Sequence, residues 1–154
     1  MTDVVQGLTR LTVLRHGHAV DHCPSGDFDR ALDERGEREI DRAALEIQAL
    51  PLLPTLVIAS PARRTRESAE RLLRVWARQG NPATDHTLGD GVELRFESRL
   101  YLANVGTLQD LIALHEGVQP HLLIVGHNPG LSDLLHELNV LRALGTGDWH
   151  SLTR

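Results

Sequence analysis

Three polar residues in a row carry the clearest chemical signal of this chain. Arg15, His16 and Gly17 directly follow an apolar run at residues 11–14, which is typical of a buried strand. Arginine binds phosphate oxygens with a planar fork of donors, histidine is a nucleophile near neutral pH, and glycine lets the backbone turn close to a bound anion. The triplet alone also fits ordinary surface residues. Whether it indicates an anion site depends on which other residues lie at the same edge of the fold.

Two further apolar runs, at residues 56–59 and 122–125, also end in residues that suit an anion site. The first is followed by Ser60, Pro61, Arg63 and Arg64, and the second by Gly126, His127, Asn128, Pro129 and Gly130. In open α/β sheets ligands collect at the carboxyl ends of the strands, where helix N-termini offer free N–H groups. We therefore expect two histidines and two or three arginines to converge on one edge.

This convergence predicts a phosphate pocket that contains a nucleophile. Charge-assisted bonds from arginine would hold the phosphoryl oxygens while a neutral imidazole attacks phosphorus in line. A second histidine, protonated, would add one more donor, and the cationic side chains do the work of a magnesium ion, so no cofactor is expected. Arg63 and Arg64 point about 100° apart on a helix, so only one is expected to face the pocket, and the residues alone do not choose between them.

The elements that must position these residues alternate along the chain. Strands are expected at residues 11–14, 56–59, 92–96 and 122–125, and each is followed by apolar residues at helical spacing. The alternation predicts an α/β fold of three layers, with a mostly parallel central sheet covered by helices on both faces. The expected helix caps are Asp33, Ser60 before Pro61, Thr107 with Asp110, and Asn128 before Pro129.

Three further segments have expected structures. The sequence predicts a polar loop at residues 80–91 and a second loop at residues 18–29 that overhangs the pocket. Residues 148–153 are expected to form an edge strand, with Trp149 or His150 pointing inward.

Length and composition limit the class of protein. The 154 residues fit a single domain spanning residues 1–154, and 41% hydrophobic with 24% charged residues is ordinary for a globular chain. A net charge of −5 argues against nucleic acid as a partner. The single cysteine, Cys23, and the lack of a stretch of about 20 apolar residues predict a cytoplasmic protein without a membrane partner. Nothing in the sequence requires more than a monomer.

Several segments together resemble the histidine phosphatase superfamily, which has the phosphoglycerate mutase-like fold, and in particular its small SixA-type phosphohistidine phosphatase branch. LRHGHA at residues 14–19 resembles the RHG signature of that family. The other similar segments are FDRALDERGERE at 28–39, SPARRTRESAE at 60–70, RLYLAN at 99–104 and VGHNPGLSDLL at 125–135. The resemblance covers most of the chain, and the combination is more specific than any one segment.

The resemblance implies roles for individual residues. His16 would be the nucleophile that becomes phosphorylated, and the family's spacing selects Arg64, leaving Arg63 as a surface charge. The expected catalytic residues are Arg15, His16, Arg64 and His127, and the expected phosphate-binding residues are Arg15, Gly17, Arg64, His127 and Asn128.

One departure from the wider superfamily bears on the substrate. Many members carry an acidic residue that protonates the leaving group, and near Leu100 this sequence has no clear counterpart, since Glu97 is misplaced. The SixA-type branch also lacks that acid, and imidazole leaves phosphorus more readily than an alkoxide does. The absence favours phosphohistidine as substrate, although Glu97, Tyr101 or Asp21 remain alternative proton donors.

The expected activity is therefore a metal-independent phosphatase that acts on phosphohistidine in a protein, such as a histidine-containing phosphotransfer domain. The alternatives are a phosphatase for small phosphomonoesters such as sugar or nucleotide phosphates, and a noncatalytic module that binds phosphorylated partners. A metal site built from His16, His18 and His127 with Asp21 or Asp133 is a weaker hypothesis, because neighbouring arginines would repel a cation.

Overall fold

A computed structural model describes residues 10–80 and 91–154 of the chain. Within them a five-stranded sheet combines with four α-helices. The strands are β1 (Arg10–Arg15), β2 (Leu56–Ala59), β3 (Glu93–Phe96), β4 (His121–Gly126) and β5 (Trp149–Thr153). The helices are α1 (Glu34–Gln48), α2 (Arg63–Arg78), α3 (Val105–Ala113) and α4 (Gly130–Glu137). The four predicted strands and the four predicted helices are thus confirmed, with ends shifted by a few residues.

The sheet is mostly parallel, as the alternation of strands and helices predicts. Its strand order is β3-β2-β4-β1-β5, and β1, β2, β3 and β4 run parallel to one another. The last strand, β5, pairs antiparallel with β1 and forms the edge expected for residues 148–153. Trp149 is the residue of β5 that packs against the core beneath α1 and α2, and its indole N–H donates to Glu46. The carboxyl ends of β1, β2 and β4 therefore lie side by side.

Apolar layers on both faces hold the sheet between the helices. Leu122 and Ile124 of β4 pack on the face covered by α3 and α4, while Leu123 and Val125 pack on the face covered by α1 and α2. All four side chains are fully buried. Burial of each contributes roughly 2 kcal/mol relative to exposure. This continuous apolar strand at the centre explains why the parallel sheet is covered on both sides.

Three of the four predicted helix caps differ from the structure. Asp33 caps α1 as expected, accepting a hydrogen bond from the Gly36 N–H at 2.8 Å. The prediction of Thr107 as a cap is wrong, because α3 begins earlier and the Asn104 side chain accepts from the Thr107 N–H at 2.9 Å. The earlier start of α3 is not visible in the sequence pattern, because Val105 and Gly106 of its first turn precede Leu108, the first of the apolar residues at helical spacing.

The caps predicted for α2 and α4 also lie outside the helix ends. Ser60 accepts from the Ala62 N–H at 3.3 Å, and Ala62 itself occupies the cap position of α2 without a side-chain bond. Asn128 accepts from the Ser132 N–H at 3.2 Å, although Pro129 occupies the cap position of α4. Both polar residues still satisfy backbone donors at the start of the helix that follows a central strand.

The predictions of a polar loop and of a chain without a membrane span also compare with the structure. Most of the predicted loop at residues 80–91 lies outside the described residues. Among residues 10–80 and 91–154, no helix is both long and apolar enough to cross a membrane.

Candidate active site

A cavity of about 350 Å³ opens where the central strands end. It is lined by Arg15, His16, His18, Ala19, Asp21, Asp27, Arg30, Arg64, Leu102, His127, Asn128 and Thr146. The residues predicted after β1, β2 and β4 thus meet at one edge of the sheet. The convergence follows from the parallel pairing of these strands, which brings their carboxyl ends together.

His16 is buried, with 7% of its surface exposed, and its ring is held in one tautomer. The Nδ1–H donates to the Gly17 carbonyl at 2.7 Å, so Nε2 carries the lone pair. That nitrogen accepts a hydrogen bond from the Nε–H of Arg64 at 3.3 Å. Burial, assisted by the charges of Arg64 and Arg15, lowers the pKa of His16 to about 4. His16 is therefore a neutral imidazole near neutral pH, with Nε2 turned toward the arginine that would hold an anion.

Arg64 stands in the first turn of α2 and its side chain is only 4% exposed. Its Nε faces His16, and its Nη2 donates to Nδ1 of His127 at 3.3 Å. Arg63 instead projects from the helix surface, with its side chain 48% exposed, and pairs with Glu67 at 3.1 Å. The structure therefore places Arg64 in the cavity and Arg63 outside it.

Asp27, which the sequence analysis did not single out, fixes the outer side of Arg64. Its carbonyl oxygen accepts from Nη1 of Arg64 at 2.8 Å, and its Oδ2 accepts from Nη2 at 3.0 Å. Oδ2 also accepts from the Tyr101 hydroxyl at 2.6 Å, and Oδ1 accepts from Arg30 at 2.9 Å. The Tyr101 hydrogen bond, with those from the two arginines, holds the pKa of Asp27 far below its usual range.

The only sequence signal for Asp27 was its place in the loop at residues 18–29, which was expected to overhang the pocket. That loop does reach the cavity through the short turn Asp27–Asp29. Its contact with α2 joins residues that are 37 positions apart.

His127 is buried beside His16, with ring centroids 5.5 Å apart. Since Nδ1 accepts from Arg64, Nε2 carries the proton and donates to the Ser60 hydroxyl at 2.9 Å. Burial and the charge of Arg64 lower the pKa of His127 to about 3. His127 is thus neutral in the free protein, which differs from the protonated form expected from the sequence. The difference arises because desolvation and a neighbouring cation both disfavour the imidazolium.

Arg15 and Asn128 are tied to one another through the Leu144 carbonyl. That oxygen accepts from Nη1 of Arg15 at 3.0 Å and from Nδ2 of Asn128 at 2.7 Å. The Nε of Arg15 is buried and has no hydrogen-bond partner among the described residues. Burial lowers the pKa of Arg15, but a guanidinium stays charged at physiological pH. An orphaned cationic N–H on a residue that lines the cavity is a donor that an anion would satisfy.

Gly17, which is expected to contact phosphate, packs closely against α1 in the structure. Its N–H donates to the Ser68 hydroxyl at 3.1 Å, and it is absent from the described lining of the cavity. A Cβ at Gly17 would lie 2.6 Å from the Gly36 carbonyl oxygen, and a Cβ at Gly36 would lie 2.0 Å from the His18 carbonyl oxygen. The two glycines allow the turn after β1 to pack directly on the backbone of α1.

Glu97, Asp21 and Tyr101, the three alternative proton donors, lie in different places relative to the cavity. Glu97 is bound to Arg99 at 2.6 Å outside the cavity lining, whereas Asp21 lies in the lining. Tyr101 packs its ring edge-on against His127 with centroids 5.4 Å apart, and its hydrogen bond to Asp27 raises its pKa. Within the described part of the chain, no group of three or more His, Cys, Asp or Glu side chains is arranged to hold a metal ion.

No protein-family model matches the sequence. A curated relative, an uncharacterised chloroplastic protein of Arabidopsis thaliana, is 38% identical over 64 residues, which are 41% of this chain. The matched part of this chain spans 29% of that relative's length.

Solved structures match over nearly the whole chain. A SixA protein of Agrobacterium tumefaciens, assigned as a phosphohistidine phosphatase, is 24% identical with a TM-score of 0.76, covering 95% of this chain and 94% of its own. The protein histidine phosphatase SixA bound to tungstate is 18% identical with a TM-score of 0.73, and the match covers 93% of this chain and 86% of that one. A mycobacterial glucosyl-3-phosphoglycerate phosphatase is 18% identical with a TM-score of 0.65, and the match covers 95% of this chain and 90% of that one. This chain therefore shares the fold of these phosphatases, an α/β fold of the phosphoglycerate mutase-like type.

Proposed function

We propose that this protein is a metal-independent phosphatase that hydrolyses phosphohistidine on a protein through a phosphoenzyme formed on His16. The observation that carries the proposal is the position of Arg64. Its Nε–H points at the lone pair of His16 Nε2, and its Nη2 bridges to His127 within the same buried group. An anion bound by this guanidinium lies next to a neutral nucleophile, which is the arrangement that phosphoryl transfer requires.

The reaction runs in two steps in this proposal. Nε2 of His16 attacks phosphorus as the bond to the leaving nitrogen breaks, and the leaving imidazole takes up a proton. Arg15, Arg64 and His127 bind the equatorial oxygens, and Asn128 holds the Leu144 carbonyl that positions Arg15. Water then attacks the phosphorus on His16 and releases inorganic phosphate. The two guanidinium groups supply the charge neutralisation that a metal ion supplies in other phosphoryl-transfer enzymes.

Two carboxyl groups near the site, those of Glu97 and Asp27, support phosphohistidine over an alkyl phosphate, while Asp21 in the cavity lining stays an alternative proton donor. Glu97 is held by Arg99 outside the cavity lining, and Asp27 is ionised because its pKa is strongly lowered. Neither is a carboxylic acid that would protonate an alkoxide at neutral pH. An imidazole leaving group needs less help from a general acid.

The rim of the cavity supports a protein as the carrier of the phosphoryl group. Leu102, which lines the cavity, is 57% exposed. Phe28 is 40% exposed and packs edge-on against Tyr101, with ring centroids 5.1 Å apart. Exposed apolar side chains around a small polar cavity favour contact with a protein surface. The likeness to a protein histidine phosphatase supports a phosphorylated protein as substrate, and we propose a histidine-containing phosphotransfer domain as this partner. A monomeric state and a cytoplasmic location remain predictions, which sedimentation and cell fractionation check.

The test compares phosphate release from a phosphohistidine protein and from p-nitrophenyl phosphate, with a metal chelator present. The wild type, His16→Ala and the matched surface variant His136→Ala are assayed together, since His136 is an exposed histidine of α4. We expect faster release from phosphohistidine, full activity in His136→Ala and none in His16→Ala. Faster release from phosphomonoesters would favour a small-molecule phosphatase, and vanadate binding without turnover would favour the noncatalytic binder.

A further inference from the structure

We propose that His18 is a further catalytic residue, oriented by Asp33, whose Nε2 donates a proton to the leaving group and then accepts one from the attacking water. This inference rests on the proposed phosphorylation of His16. It concerns the residue directly after the RHG segment, which the resemblance left without a role.

The ring of His18 is fixed at the wall of the cavity. Its Nδ1 forms a short hydrogen bond with Oδ2 of Asp33, and its side chain is 33% exposed. Because the Nδ1–H of His18 donates to Asp33, Nε2 is the ring nitrogen that remains for the cavity that His18 lines. A carboxylate that holds one imidazole nitrogen fixes the ring's tautomer and orientation, as in many acid–base sites.

Asp33 is itself held rigidly, which makes it a precise support for His18. Its Oδ1 caps α1 by accepting the Gly36 N–H at 2.8 Å, so one carboxyl oxygen serves the helix and the other serves His18. The His18 backbone N–H donates to Glu39 of the same helix at 2.8 Å. Both the main chain and the ring of His18 are thus anchored to α1.

Four other ionisable groups of the site, namely His16, His127, Asp27 and Tyr101, are poor proton donors and acceptors near neutral pH. Burial lowers the pKa of His16 and His127 to about 4 and about 3, so both rings are neutral. The pKa of Asp27 is far below its usual range, and the hydrogen bond to Asp27 raises the pKa of Tyr101. Imidazole is the side chain whose ordinary pKa best suits proton transfer at neutral pH. The hydrogen bond from Nδ1 to Asp33 leaves Nε2 of His18 without a hydrogen-bond partner among the described residues, as an imidazole nitrogen that can transfer a proton in this cavity.

Charges of both signs surround His18. The carboxylates of Asp33 and Glu39 face it from α1, and Arg35 lies beside Asp33. The remaining ionisable residues of the cavity wall are Arg15, His16, Asp21, Asp27, Arg30, Arg64 and His127.

The proton balance of the proposed reaction is simple. In the first step His18 starts as an imidazolium whose Nδ1–H is donated to Asp33. Its Nε2–H passes a proton to the leaving nitrogen or oxygen as the bond between that atom and phosphorus breaks. The new bond joins phosphorus to Nε2 of His16. In the second step Nε2 of His18, now a lone pair, takes a proton from water as the water oxygen attacks phosphorus. Inorganic phosphate leaves, and both histidines return to their starting states.

The test uses leaving groups of different basicity and the variants His18→Gln and Asp33→Asn, with His22→Gln, an exposed histidine of the same loop, as matched control. Asparagine caps helices as well as aspartate does, so Asp33→Asn keeps α1 and removes the charge beside His18. Circular dichroism checks that each variant is folded. Phosphate release and trapped phosphoenzyme are then followed after rapid mixing.

For His18→Gln we expect phenyl phosphate turnover to fall on the order of 10²-fold. With p-nitrophenyl phosphate, whose leaving group needs no acid, we expect an initial burst of nitrophenol and accumulated phosphoenzyme, because hydrolysis by water is slowed. Asp33→Asn should show the same pattern more weakly.

Equal losses of activity for both leaving groups without a burst would overturn the role of His18 and would indicate a structural effect. Unchanged kinetics in a folded Asp33→Asn variant would show that Asp33 does not orient His18. Failure of the proposed function gives a different result, since the wild type itself would then form no phosphoenzyme on His16.

Discussion

Asp27 holds the guanidinium of Arg64 through two hydrogen bonds, from Nη1 to the carbonyl oxygen at 2.8 Å and from Nη2 to Oδ2 at 3.0 Å. These contacts occupy the outer side of the group and leave Nε directed at His16. The orientation of the arginine is thus set before any ligand binds, which reduces the reorganisation that binding requires.

Replacing Arg64 by lysine keeps the charge but removes the planar fork of donors. We expect kcat/KM to fall by about 10²-fold, equivalent to about 2.7 kcal/mol of transition-state stabilisation. Arg63→Lys is the matched control, since Arg63 is the exposed neighbour on the same helix and should change kcat/KM less than twofold. Steady-state kinetics on the preferred substrate measures both, and equal losses in the two variants would contradict the assignment.

Removing the anchor of Arg64 should have a smaller effect than removing Arg64 itself. In Asp27→Ala the Oδ2 contact is lost while the backbone contact remains, and we expect kcat to fall roughly tenfold. The control is Asp29→Ala in the same short turn. Kinetics and vanadate affinity are measured together. Tighter vanadate binding with undiminished kcat would mean that Asp27 acts mainly by repelling the anion.

Buried histidines should make the free energy of unfolding depend on pH. The pKa of His121, which is fully buried, is lowered by burial to about 4. Because its folded pKa lies below the unfolded value of about 6.5, the unfolded chain binds more protons between these values and stability falls as pH decreases through that window. The loss between pH 7 and pH 5 should be about 2 kcal/mol for this residue.

Urea unfolding of the wild type and His121→Gln at pH 7 and pH 5 tests this expectation. The variant should be less stable at pH 7, since it disturbs the bonds to Thr12 and the Leu52 carbonyl. Its further loss at pH 5 should be smaller than that of the wild type by about 2 kcal/mol. His136→Gln, on the surface, should keep the wild-type pH dependence. An identical pH dependence in His121→Gln would show that His121 does not contribute.

The contact between the turn after β1 and helix α1 requires glycine at position 36. A Cβ there would lie 2.0 Å from the His18 carbonyl oxygen, so Gly36→Ala should cost roughly 1–3 kcal/mol and displace His16. Gly106→Ala in α3 is the control, because its new Cβ would have only a 3.6 Å neighbour and should be neutral or slightly stabilising. Thermal unfolding and kcat distinguish them, and equal stability of both variants would refute the packing argument.

Local patterns in the sequence determined the layout of the fold and the types of residue in the site. The apolar runs and the helical spacing predict β1 to β4 and the four helices, because burial on a sheet or a helix face imposes a period that is visible in a short window. Parallel pairing then brings the ends of β1, β2 and β4 together, which is why Arg15, His16 and His127 were expected at one edge.

Tertiary structure alone decided how these groups act on one another. The contacts of Asp27 with Arg64 and of His18 with Asp33 join separate segments, so their existence depends on how a loop lies over a helix. The neutral state of His127 depends on desolvation and on the distance to a cation. Distances between remote segments and loss of hydration have no local signature in a sequence, because each is a property of the packed chain as a whole.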